Sequence, residues 1–138
     1  MASTKAFAAF FIATTLLLAF AEPSLGIASK ATFYNQYKRK NLSFHEFIMH
    51  TSACYGYGSL PSDYSFAAAA PSIYSNGAAC GRYYCVKCTS NGCRNSNVIR
   101  VKIVDLCPGC PGAFDLSQQA FARIANPDAG VINIDYYQ

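Results

Sequence analysis

Residues 98–110 read VIRVKIVDLCPGC: a β-type run from Val98 to Leu106, then a tight turn at Pro108-Gly109 with a cysteine on either side. Working outward, short β-type runs recur at Ala31 to Tyr34, Tyr83 to Thr89 and Val131 to Tyr137. Tight turns are expected at Asn76-Gly77 and Asn91-Gly92, where glycine supplies positive φ. Only one segment reads as a helix, Gln118 to Ala125. Ser117 is placed as its N-cap, Phe121 and Ile124 share one face, and Asn126-Pro127 stops it. The chain therefore reads as mainly β with one short helix.

The whole sequence has 138 residues, 52% in the apolar set and 13% charged, which fits one domain and excludes a disordered chain or a coiled coil. Its formal charge of +4 is mild and scattered, with no basic tail, so no nucleic acid partner is expected. At the N-terminus, Lys5 precedes an apolar run from Ala6 to Ala21 and then small residues, the pattern of a secretory signal over residues 1–28, cleaved after Ala21 or Ala28. The run is shorter than the ~20 residues a membrane span needs, so no membrane insertion is expected after cleavage. The remaining residues 29–138 make one compact domain. Within it, Lys38 to His50 (KRKNLSFHEFIMH) carries both histidines and the sequon Asn41-Leu42-Ser43, a candidate glycosylation site, and reads as an inserted loop.

Seven cysteines stand at 54, 80, 85, 88, 93, 107 and 110. Cys85–Cys88 and Cys107–Cys110 form two CxxC pairs 18 residues apart, the spacing of a zinc ribbon. An oxidising secretory route argues against that reading, and it leaves Cys54, Cys80 and Cys93 unexplained. No metal or cofactor is expected. Disulfides suit the local geometry: Cys88 and Cys93 flank Thr-Ser-Asn-Gly, Cys107 and Cys110 flank Pro-Gly, and Cys54 and Cys80 remain. Seven cysteines nonetheless allow 105 arrangements of three bridges and one free thiol, and the spacing alone leaves these open. In a strand, Cys85 would share the face of Tyr83 and Lys87 and lie near solvent.

The strings ATFY (31–34), SACYG (52–56), NGAACGRYYCVKC (76–88), VIRVKIVDLCPGC (98–110), FDLSQQAF (114–121) and IANPDAGVINIDY (124–136) together resemble one family. It is the plant natriuretic peptide group, or family-45-endoglucanase-like domain proteins, related to the first domain of expansins and to barwin. The resemblance implies a single six-stranded double-psi β-barrel secreted to the apoplast. It also supports the pairing Cys54–Cys80, Cys88–Cys93 and Cys107–Cys110, leaving Cys85 as a free thiol able to link a dimer. Three features depart from the pattern: Cys85 itself, the segment 38–50, which is either a loop or retained intron sequence, and the lack of the expansins' second, polysaccharide-binding domain.

Glycoside hydrolysis needs two carboxyl groups at defined separation. Asp115 matches the residue that resembles the family-45 general acid, with helix-start hydrogen bonding as its structural alternative. Asp105, at a strand end, either lines the same groove or satisfies the Pro-Gly turn. Where those glucanases carry a base, Thr32-Phe33-Tyr34-Asn35-Gln36 offers no carboxylate, and its amides cannot take the proton, so the protein is expected not to be an enzyme and Asp115 to be a vestigial acid. The favoured reading is a secreted protein acting in ion and water homeostasis and in stress or defence signalling, through a cell-surface receptor. In the resemblance, the active stretch of such proteins falls on Tyr37 to Tyr84. The alternative is a module that binds or loosens wall polysaccharide, with a groove formed by Tyr34, Asp105, Asp115 and Tyr136. Those tyrosines could equally serve as core or rim packing.

Overall fold

The structure, a computed structural model, describes residues 26–34, 52–56 and 58–138. The expected leader, the Asn41 sequon and the segment 38–50 lie outside the described residues, apart from the leader's last three positions, 26–28.

Six strands close into one barrel: β1 (Ile27–Tyr34), β2 (Phe66–Ala69), β3 (Tyr83–Cys88), β4 (Val98–Leu106), β5 (Phe114–Ser117) and β6 (Ile132–Tyr137). Their order around the barrel is β1-β5-β2-β4-β3-β6. The β1–β5 and β2–β4 pairs are parallel and the other contacts antiparallel. Closure leaves no free sheet edge among the described strands.

Strand alternation sends one face of each strand inward. Val86, Val101, Ile103, Phe114, Leu116, Ile132 and Ile134 are fully buried and fill the barrel together with Phe121 and Ile124 of helix α2 (Gln118–Ile124). Burying each such side chain contributes about 1.5–3 kcal/mol. β2, with the sequence FAAA, lies between β4 and β5, and all four of its residues are buried.

Ser117 caps α2 as the sequence suggests, its Oγ accepting from the Ala120 N–H at 3.1 Å. A second short helix, α1 (Pro71–Tyr74), was not expected. Proline opens it, since the lost N–H has no partner in a first turn. It ends in three successive left-handed residues, Ser75, Asn76 and Gly77, the last two being the expected turn pair. Gly92, by contrast, does not take positive φ. It is needed for close approach, because a Cβ there would come 2.8 Å from the Ala129 Cβ.

Three disulfides staple the barrel: Cys54–Cys80, Cys88–Cys93 and Cys107–Cys110. Cys85 is free, and parity places it on the outer face with Tyr83 and Lys87, where its thiol is half-buried rather than open.

Candidate functional site

The site grows from one cross-strand row. Thr32 of β1 pairs with Asp115 of β5, Asp115 pairs with Ala68 of β2, and Ala68 pairs with Asp105 of β4. A register shift between Ala67 and Ala68 brings Asp105 rather than Val104 onto this row. Phe114 and Leu116, the neighbours of Asp115, are buried in the barrel, so alternation turns Asp115 to the opposite face.

Each carboxylate has a defined partner. Asp115 Oδ1 accepts from Thr32 Oγ1 at 2.7 Å. Partial burial raises the Asp115 pKa, and the Thr32 hydrogen bond opposes that rise in part. Asp105 Oδ1 accepts from the Ala53 N–H at 2.8 Å and from its neighbour Leu106 N–H at 2.9 Å. Asp105 thus anchors residues 52–56 to the end of β4 rather than satisfying the Pro-Gly turn, and the Cys54 N–H bonded to the Val104 carbonyl reinforces that anchor.

Tyr34, two residues along from Thr32, shares its face of β1. Its hydroxyl is held protonated first by burial and then by the negative charges of Asp115 and Asp105. The phenol therefore keeps its proton and adds no charge to the row. Its ring stacks on Phe66 at 6.2 Å between centroids, and Phe66 lies 6.4 Å from the ring of Tyr64, which is 42% exposed. These three rings run from solvent to the carboxylates.

Of the four expected groove residues, the fold thus brings Tyr34, Asp105 and Asp115 together. Tyr136 stands elsewhere, on the rung of Ile27 and Val86, with its ring edge-on to Phe114 at 5.0 Å and to Tyr84 at 6.1 Å. It packs against the core.

Two contributors escaped the sequence reading. Thr32 was legible only as part of a segment lacking a base, and its bond to Asp115 depends on β1–β5 register. Tyr64 carried no signal: it sits in left-handed backbone at φ 59°, where tyrosine is rare. No group of three or more His, Cys, Asp or Glu suited to a metal ion occurs among the described residues.

A closed six-stranded barrel with two parallel pairs and an acidic, tyrosine-lined row on its outside defines a double-psi β-barrel of the expansin kind. Residues 66–136 match the double-psi β-barrel family described as lytic transglycolase. An EG45-like domain containing protein of Citrus jambhiri is 48% identical over 95 residues, covering 63% of this chain and 70% of its own. The putative EG45-like domain containing protein 1 of Arabidopsis thaliana is 37% identical over 142 residues, covering 97% and 98%. The chain belongs to the EG45-like domain family. It is also 41% identical over 80 residues to the putative expansin-B2 of A. thaliana, but that match covers only 29% of the expansin. Among solved structures, a variant expansin of Clavibacter michiganensis in complex with cellohexaose superposes with a TM-score of 0.61 at 26% identity, over 80% of this chain and 50% of the expansin.

Proposed function

We propose that this is a secreted, non-hydrolytic EG45-like protein of the plant extracellular space, acting in ion and water homeostasis and in stress or defence signalling. The observation that carries this reading is the extent of likeness. It spans 98% of one EG45-like protein and 70% of another, against 29% of an expansin-B. Within the stretch 37–84 credited with activity, Phe66–Ala69 forms the buried strand β2 and Cys80 is bridged to Cys54. These two features support a signal carried by the folded barrel.

Two features support a non-hydrolytic role. Asp105, the acid nearest Asp115 along the row, is occupied by two backbone N–H donors. On the other side of Asp115 stands a threonine hydroxyl, which cannot serve as the second carboxyl group.

A second reading rests on the groove itself: Tyr34, Asp115 and Thr32 hold a wall glycan through stacking and hydrogen bonds. The expansin neighbour bound to cellohexaose favours a neutral β-glucan chain as its ligand.

One experiment separates these roles. The purified secreted protein is added to protoplasts in a water and ion flux assay. In parallel it is incubated with insoluble wall polysaccharides, with any scission, hydrolytic or lytic, scored from new chain ends. Flux without retention selects signalling and retention without flux selects the wall module. Scission abolished by Asp115→Asn overturns the non-hydrolytic assignment.

A further inference from the structure

On the outer face of β3, β4 and β6, aromatic and cationic side chains alternate. Lys102 shares a rung with Tyr83, Arg100 shares the next with Cys85, and Cys85 pairs in turn with Tyr137. The Arg100 guanidinium lies 4.0 Å from the centroid of the Tyr83 ring, and Lys102 Nζ lies 4.9 Å from that of Tyr55. The strip therefore runs Tyr55, Lys102, Tyr83, Arg100, Tyr137, and its three tyrosines are 38%, 40% and 38% exposed in that order. No carboxylate stands on the rungs of Arg100 or Lys102, whereas Lys87, one rung further, is matched by Asp135.

Both cations are thus held by rings, which leaves their charge available to a ligand. Standing at i and i+2 of one strand, they are about 6.5–7 Å apart on the same face. A guanidinium offers a planar fork that binds a carboxylate through two parallel hydrogen bonds. Flat tyrosine rings at low entropy cost accept the apolar face of a sugar ring. A nucleic acid fits less well, because its affinity comes from a run of roughly six to ten phosphate contacts, and the strip offers two cations.

We propose that this strip binds a linear acidic polysaccharide of uronic acid residues, with Arg100 and Lys102 taking carboxylates and Tyr83 stacking between them. The strip adjoins the groove, since Lys102 shares a rung with Phe66, but its ligand is set by the two cations and not by the groove's carboxylates.

The test measures binding of the full secreted protein to sodium polygalacturonate at low salt. Fully methyl-esterified polygalacturonate, dextran sulfate and single-stranded DNA serve as comparison probes. Polygalacturonate is expected to bind, and the neutral ester at least tenfold more weakly. Arg100→Gln with Lys102→Gln, which keeps most of each stem, should lose tenfold or more. Equal binding of the ester, or full binding by the double variant, overturns the proposal. So does dextran sulfate or DNA binding as tightly as polygalacturonate, which would mark a general polyanion patch. The ester comparison uses the unmodified protein and stands even if a variant misfolds.

Discussion

Asp105 and Asp115 are both register partners of Ala68, one on each side of β2. Two strand spacings put their backbones about 9–10 Å apart. That placement resembles an acid–base pair, but the side chains have diverged in role. Asp115 bonds to a threonine hydroxyl, and Asp105 holds the backbone of the 52–56 segment in place.

A pH dependence of stability follows from Asp115. Burial raises its folded pKa, so the folded state binds the proton more tightly than the unfolded chain does. Its contribution is most favourable below the unfolded carboxyl pKa and is lost as pH rises through the raised folded value. Asp115→Asn keeps an oxygen that can accept from Thr32 and removes the buried charge. The variant should melt higher than the parent at pH 7, with the difference vanishing in acid. A variant that melts lower at pH 7 would show that the charge is net stabilising.

Cys54–Cys80 closes the longest of the three loops, with a sequence separation of 26, and ties the 52–56 segment to the chain before β3. Replacing both cysteines by alanine should cost roughly 3–4 kcal/mol, read from urea unfolding. The Cys107–Cys110 bridge, with a separation of 3, should cost clearly less when removed. Equal losses would mean that strain or contacts, not loop closure, set these values.

Cys85 is half-buried beside Tyr137, whose hydroxyl pKa is raised chiefly by a hydrogen bond to that thiol. The expected outcome is a reducible dimer under oxidising conditions that is absent in Cys85→Ser, with native labelling slower than that of the unfolded chain. A monomer on non-reducing gels, with no labelling of the native protein, would place the thiol out of reach.

The long strands β3 and β4 were legible because their β-type runs are bounded by turns and cysteines, and Ser117 was legible as a cap because it directly precedes an amphipathic helix. β2 was not: Phe66–Ala69 contains no β-branched residue, and its strand character comes from the two strands it pairs with. β5 was absorbed into the approach to α2, since four residues ending in an N-cap read as a helix start. The candidate row depends on the shift between Ala67 and Ala68, which no local pattern encodes. Grouping Tyr136 with the acids failed on parity, because it alternates with Ile134 and Ile132 toward the core.

The first rungs of β1 bear on processing. Ile27 pairs with Tyr136 and Ala28 with Asp135, and a Cβ on Gly26 would meet the Asp135 Cβ at 2.9 Å, so the chain already lies against β6 before Ser29. Cleavage after Ala28 would remove two rungs of the ladder that closes the barrel. On the proposed secretion, N-terminal sequencing of the protein recovered from the medium should therefore begin at Glu22. A start at Ser29 would mean that the barrel closes without those rungs.

Tyr64 carries the last prediction. A left-handed tyrosine costs roughly 1–3 kcal/mol, and surrounding structure must hold it. Here the Tyr64 carbonyl accepts from the Ser117 hydroxyl and the Phe66 N–H, while Arg123 of α2 donates to the Asp63 carbonyl and to Ser65 Oγ. The strained backbone sets an exposed ring at the outer end of the Tyr64–Phe66–Tyr34 series. Glycine tolerates this conformation without cost and alanine does not, so Tyr64→Gly should be more stable than Tyr64→Ala by about 1 kcal/mol, the reverse of their usual order within strands and helices. If the ring serves the groove, both variants should be retained less by insoluble β-glucan than the parent, with the more stable glycine variant no better than alanine. Alanine proving the more stable of the two would show that the loop relaxes once the ring is gone. Unchanged retention would remove Tyr64 from the groove.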